Sequence, residues 1–151
     1  MKRILFIILI CVSTNLFSQE VKSDEYIEKR VATIGILQGG GSLIGADLEF
    51  LLSRQFGFQV GLGYVGFGAG LNYHFVPSIR SSFVSLQYCN QGIGKSFYQN
   101  IVGTSFVYRA KKWFTFQIGL GVPLTKGPGA PKNYELPSYM LIYSIGAYFP
   151  F

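Results

Sequence analysis

Between residues 44 and 75 the chain alternates with a period of two through three successive stretches. Successive side chains of a strand point to opposite faces, so the alternation sorts these residues into two sets. In "LIGADLEFLL", Ile44, Ala46, Leu48, Phe50 and Leu52 share one face, and Gly45, Asp47, Glu49 and Leu51 share the other. Phe56, Phe58, Val60, Leu62 and Tyr64 oppose Gly57, Gln59, Gly61 and Gly63. Phe67, Ala69, Leu71, Tyr73 and Phe75 then oppose Gly68, Gly70, Asn72 and His74. All 15 positions of the first set are apolar, whereas among the 12 of the second only Leu51 is an apolar residue larger than glycine. A strand with these two faces needs an uncharged apolar medium on one side and a narrow, partly polar space on the other.

Composition extends this requirement to most of the chain. From Val31 onward 11 of 121 residues are charged, three acidic and eight basic, far below the quarter typical of a soluble domain. Beyond the first residues no run of 18 apolar residues occurs, which excludes helical membrane spans. Five more candidate strands, at about 31–38, 81–90, 99–109, 113–122 and 139–149, bring the total to eight. The stretch Phe114, Phe116, Ile118, Leu120, Val122 alternates cleanly with Thr115, Gln117, Gly119 and Gly121. In 81–90 and 99–109 the alternation does not fix the facing. Roughly 9 to 11 tilted residues cross a bilayer, which these strands match. The fold expected is all-β, an eight-stranded antiparallel up-and-down transmembrane β-barrel, because only a closed sheet leaves no unpaired backbone edge in lipid.

The chain starts "MKRILFIILICVSTNLFSQ". Lys2 and Arg3 precede an apolar core, Ile4 to Val12, of secretory-signal length and too short for a span. The domains expected are therefore 1–18 as a cleaved signal peptide, 19–30 as a charged lead-in and 31–151 as the barrel. Cleavage after Ser18 removes Cys11 and leaves Cys89 alone, so neither a disulfide framework nor a cysteine-rich metal site is expected.

Pairing can be drawn from the hairpins. With Ser53-Arg54-Gln55 as a short connection, Leu52 meets Phe56 and Glu49 meets Gln59. With Val65-Gly66 as a tight turn, Tyr64 meets Phe67, Gln59 meets Asn72, and His74 lies opposite Gly57. Asp47, Glu49, Gln59, Asn72 and His74 then form an inward polar cluster, with Arg109, Gln87 or Gln117 as candidate partners from the far wall. Buried carboxylates are costly unless paired, so the cluster is expected to be structural, and Glu49→Ala to lower the melting temperature. An even strand number puts both termini at one end. The connections at that end, 53–55, 76–81 and 109–112, are short and basic; the others fall at 39–42, 65–66, 91–98 and 123–138. Outer loops of membrane barrels are usually the longer ones, and "PLTKGPGAPKNYELPS" is the longest here.

The chain closes with "YSIGAYFPF", in which Tyr143, Ile145, Ala147, Phe149 and Phe151 share a face. This resembles the C-terminal strand of bacterial outer-membrane β-barrels, and the whole of 31–151 resembles the small eight-stranded members in architecture. Pro150 is unusual in such a strand, though an end position tolerates it. The resemblance implies location in the cell outer membrane. It also implies an assembly signal in Tyr143, Phe149 and Phe151 read by the barrel assembly machinery, and lipid or lipopolysaccharide as neighbours.

Two motifs invite other readings. Gly61, Gly63 and Gly66 have the G-x-G-x-x-G spacing of a dinucleotide turn. That fingerprint needs a following helix and an acid about 20 residues on. Here another alternating strand follows, and no Asp or Glu occurs between Glu49 and Glu135. His74, the only histidine, invites comparison with barrel lipid A hydrolases and acyltransferases. In the pairing above it lies toward the end that carries the termini, with no serine beside it. The basic residues are scattered over turns rather than set in a basic aromatic stripe, so nucleic acid is not expected as a partner. The expectation is a monomeric, non-enzymatic outer-membrane barrel with a structural or surface-interaction role, without catalytic, cofactor or metal residues. A lipid-modifying enzyme and a narrow porin-like pore are the alternatives.

Overall fold

A computed structural model of the chain describes residues 28–41 and 43–151; the expected signal peptide and most of the lead-in lie outside them. Eight strands follow one another: β1 Arg30–Ile36, β2 Ile44–Leu51, β3 Phe56–Gly63, β4 Gly66–His74, β5 Phe83–Gln91, β6 Gln99–Arg109, β7 Phe114–Lys126 and β8 Met140–Pro150. Each pairs antiparallel with its neighbours, and β1 pairs with β8 to close the barrel. No α-helix occurs among the described residues. The all-β, eight-stranded antiparallel barrel read from the alternation is therefore the fold. Closure satisfies the backbone of every strand and removes the sheet edges.

The two faces separate as the sequence requires. Along β2, Ile44, Ala46, Leu48 and Phe50 point outward while Gly45, Asp47 and Glu49 are buried. The outward set of β8, Leu141, Tyr143, Ile145 and Phe149, continues in Phe151, and all of these are exposed. For β5 and β6 the structure supplies the facing: Val84, Leu86, Thr104 and Tyr108 look outward, and Ser85, Cys89, Ser105, Val107 and Arg109 inward. Among the described strands, no charged side chain lies on the outward face between the strand ends. Aromatic residues crowd that face near the end that carries the termini. There Phe56 contacts Tyr73, Tyr73 contacts Phe75, and Phe75 contacts Phe106, at centroid separations of 5.3, 6.4 and 6.1 Å.

The β2–β3 register is the one drawn from the sequence, with Glu49 opposite Gln59. The β3–β4 register differs by two residues. Gly63 pairs with Gly66, so the turn is Tyr64-Val65 rather than Val65-Gly66. Gly66 takes φ +132, a conformation reserved for glycine, and can therefore close the turn as a paired residue instead of occupying it. Asn72 consequently faces Gly57, Gln59 faces Gly70, and His74 lies beyond the last pair. A shift of two leaves every side chain on its original face.

The end of β7 also moves. β7 runs through Pro123 to Lys126, because a register irregularity between Asn100 and Ile101 lets the strand resume pairing past the proline. The connection to β8, 127–139, is thus shorter than the expected 123–138. β6 ends at Arg109, as the expected strand 99–109 has it, and Arg109 is buried.

Part of the connection between β1 and β2, residues 38–40, is tucked inside the barrel. Gln38, Gly39 and Gly40 are buried, and Gly40 lies so close that a Cβ on Gly68 would come within 3.1 Å of its Cα. A Cβ on Gly61 would lie 2.9 Å from the Cα of Gly39. Gly61 of the G-x-G-x-x-G stretch and Gly68 beyond it therefore make room for a second run of glycines laid against the wall. Gly39 has φ +66 and a Cβ there would collide with the Leu62 carbonyl. Gly39→Ala is expected to cost more than about 1 kcal/mol from the backbone conformation alone. It should also shift the amide NMR signals of Gly61 and Gly68; unmoved signals would show that the loop does not rest on them.

Candidate functional site

The lumen is where the chain gathers its polar chemistry, and it is built in layers. At the end that carries the termini, Val31, Ile79 and Tyr148 form a buried apolar cluster with Leu51 packed against it. Ile79 comes from the 75–82 connection, which turns this side chain inward against Val31 and Tyr148. The Tyr148 hydroxyl donates to the Ala110 carbonyl, fixing the neighbouring turn.

Above this plug, Glu49 is the hub of a charged layer. Arg109 crosses from β6 on the opposite wall and places Nη2 2.7 Å from Glu49 Oε2. Its Nη1 donates to the Ile79 carbonyl, and its guanidinium lies 4.8 Å from the Phe83 ring centroid and 5.2 Å from that of Tyr148. Arg109 therefore ties the two walls and the plug together. Of the three far-wall candidates named from the sequence, it is the one that reaches Glu49. Asn72 donates its amide to Glu49 Oε1 and, at 3.0 Å, to Gln59 Oε1. The polar row thus survives the register shift, with Asn72 meeting Gln59 diagonally rather than side by side.

His74 is fully buried, with Nε2 3.0 Å from Glu49 Oε1. An ionised carboxylate only accepts, so Nε2 carries the proton of this bond. On the other side, Nδ1 is 3.1 Å from the Ser81 hydroxyl, which donates to the Val76 carbonyl at 2.9 Å. This corrects the expectation of no serine beside His74: Ser81 comes from the 75–82 connection, where strand pairing gives no information. Acid, imidazole and hydroxyl are thus in line, as in a hydrolytic triad. Turnover would need a substrate to reach the hydroxyl and the imidazole together. The His74 ring is instead sealed against Phe83, 4.8 Å away, and the Ser81 proton is engaged by a carbonyl. As arranged, the three groups hold the inward-folded connection to the barrel wall.

A third layer joins the other wall. Gln117 donates to Ser105 at 2.8 Å and accepts from Ser144 at 3.2 Å, linking β6, β7 and β8. Beyond it lies a cavity of about 210 Å³, bordered by Asp47, Gln59 and Gln87 and by the tucked glycines. Asp47, the remaining acid of the expected cluster, faces this cavity rather than the Glu49 network; its contacts are the Gly39 amide at 3.4 Å and the Gln59 side chain. Toward the far end, Gln99 donates to Gln91 at 2.9 Å and accepts from the Tyr134 hydroxyl at 3.0 Å. This chain of bonds docks the 127–139 loop onto the barrel rim. Among the described residues no group of three His, Cys, Asp or Glu side chains is placed to hold a metal ion. Comparison with protein-family models, with curated proteins and with solved structures finds no match to this chain.

Proposed function

We propose that the protein is an integral β-barrel of the bacterial outer membrane that acts without catalysis, as a wall-anchored scaffold presenting its far-end loops at the cell surface. The observation that carries this reading is the outward face, uncharged between the strand ends and apolar through its middle except for Thr104. Large contiguous apolar surfaces on soluble proteins are rare, and a charge near the midplane of a lipid-facing barrel wall costs about 2–4 kcal/mol. In this orientation the short connections 52–55, 75–82 and 110–113 face the periplasm. The 92–98 and 127–139 loops face outward, and Phe151 is available to the assembly machinery. The apolar plug and the Glu49–Arg109 layer argue against an open pore.

Membrane fractionation with heat-modifiable gel mobility tests the location. The barrel is expected in the outer-membrane fraction, migrating differently before and after boiling; recovery as a soluble periplasmic protein would overturn the reading. Planar-bilayer recordings should show no steady conductance, and regular single-channel steps would assign a pore instead. A second reading, a lipid-modifying hydrolase, draws on the alignment of Glu49, His74 and Ser81. Mass spectrometry of membrane lipids is expected to be the same with the wild type and with Ser81→Ala, and an acylation change abolished by that substitution would replace the scaffold with an enzyme.

A further inference from the structure

The lumen holds two inward carboxylates and treats them differently. Glu49 has Arg109, His74 and Asn72. Asp47 lies two residues away on the same face and is only 5% exposed, yet no ion pair reaches it among the described residues. A buried carboxylate without a cation is unfavourable, because desolvation is not offset by attraction to an opposite charge. Asp47 Oδ1 sits over Gly61, where a side chain at position 61 would collide with it. The acid thus has only uncharged hydrogen-bond partners, the Gly39 amide and Gln59, and it borders the cavity of about 210 Å³.

The cavity's other borders describe what would complement Asp47. Gln87 Nε2 is buried without a hydrogen-bond acceptor and borders the same space. Ile101, Met140 and Ile142 supply apolar wall. A cavity of roughly 150 Å³ already admits benzene, so six heavy atoms fit comfortably here. From this geometry we propose that the lumen binds a small primary amine. Its ammonium group pairs with Asp47, its short aliphatic body lies along Ile101 and Ile142, and an acceptor such as a hydroxyl takes the Gln87 amide proton. The charge that Arg109 supplies to Glu49 is, at Asp47, supplied by the ligand.

The test uses the full barrel folded in zwitterionic detergent micelles, with 4-aminobutan-1-ol and butane-1,4-diol compared by titration and amide NMR. The amino alcohol is expected to bind saturably, shifting the amides of Gly61, Gly68 and Gly70. The diol, of the same shape and uncharged, should bind at least about tenfold more weakly, since a charge-assisted hydrogen bond is lost. Asp47→Asn, checked for folding by its heat-modifiable mobility, should abolish the difference between the two. Equal binding of amine and diol to the wild type would overturn the proposal, as would the absence of saturable shifts with the amine. Because both measurements are made on the folded wild type, the outcome is independent of the variant and of the barrel's cellular location.

Discussion

Arg109→Ala is expected to destabilise the barrel by about 3–5 kcal/mol, measured as urea unfolding in detergent or lipid vesicles, because it leaves Glu49 charged, buried and without its cation. Glu49 Oε2 is 2.7 Å from the guanidinium, and His74 and Asn72 both engage the other oxygen, Oε1. The guanidinium also holds the Ile79 carbonyl, so its loss loosens the plug as well. Removing both charges should be milder than removing one. In Glu49→Gln with Arg109→Met, the carboxamide can still accept from His74 and Asn72, and the methionine fills much of the vacated volume. A double variant at least as unstable as Arg109→Ala would show that the pair stabilises by attraction rather than by avoiding an orphaned charge. Wild-type stability in Arg109→Ala would remove the charged layer from the account.

Leu71→Arg is the second large effect. Leu71 lies mid-strand on the outward face, opposite Phe58 on one side and Leu86 on the other. A guanidinium there is expected to cost about 2–4 kcal/mol in lipid, while Tyr64→Arg at the hairpin tip should cost at most about 1 kcal/mol. The contrast is diagnostic, because in water an arginine at either exposed position would change stability little. Similar small effects at both positions would place the belt in water.

The reasons these positions differ in legibility are physical. The alternation at 44–75 is readable because the outward face and the lumen demand opposite chemistry of successive residues, and three strands repeat the pattern. The β2–β3 register followed from the short Ser53–Gln55 connection. β5 and β6 were opaque because the inward face is itself apolar in places: Phe83, Ile101 and Val107 are all buried in the lumen. Apolar residues on both faces erase a period of two. The partner of Glu49 was not fixed by sequence because β2 and β6 stand on opposite walls, and barrel diameter, not strand pairing, brings them together. Ser81 and Ile79 were missed because a connection that folds inward carries no periodic signal. Pro123 reads as a strand end, and only the irregularity beside Ile101 lets β7 continue. The glycines of 61–70 read as small inward-facing strand residues, and 39–42 only as a connection. Their shared reason, close passage of one past the other, exists only after the barrel closes.

The central claim is that the apolar face meets lipid, and depth-dependent tryptophan quenching addresses it directly. Trp113 is the only tryptophan and sits in the connection between β6 and β7, at the rim. Barrels reconstituted in vesicles with bromines at defined acyl-chain depths would be compared in two forms, the native chain and a Trp113→Phe, Leu71→Trp variant. Trp113 is expected to be quenched most by bromines near the headgroups, and the tryptophan at position 71 most by bromines near the bilayer centre. Quenching of the tryptophan at position 71 by aqueous iodide, with no effect of brominated lipid at any depth, would contradict the claim.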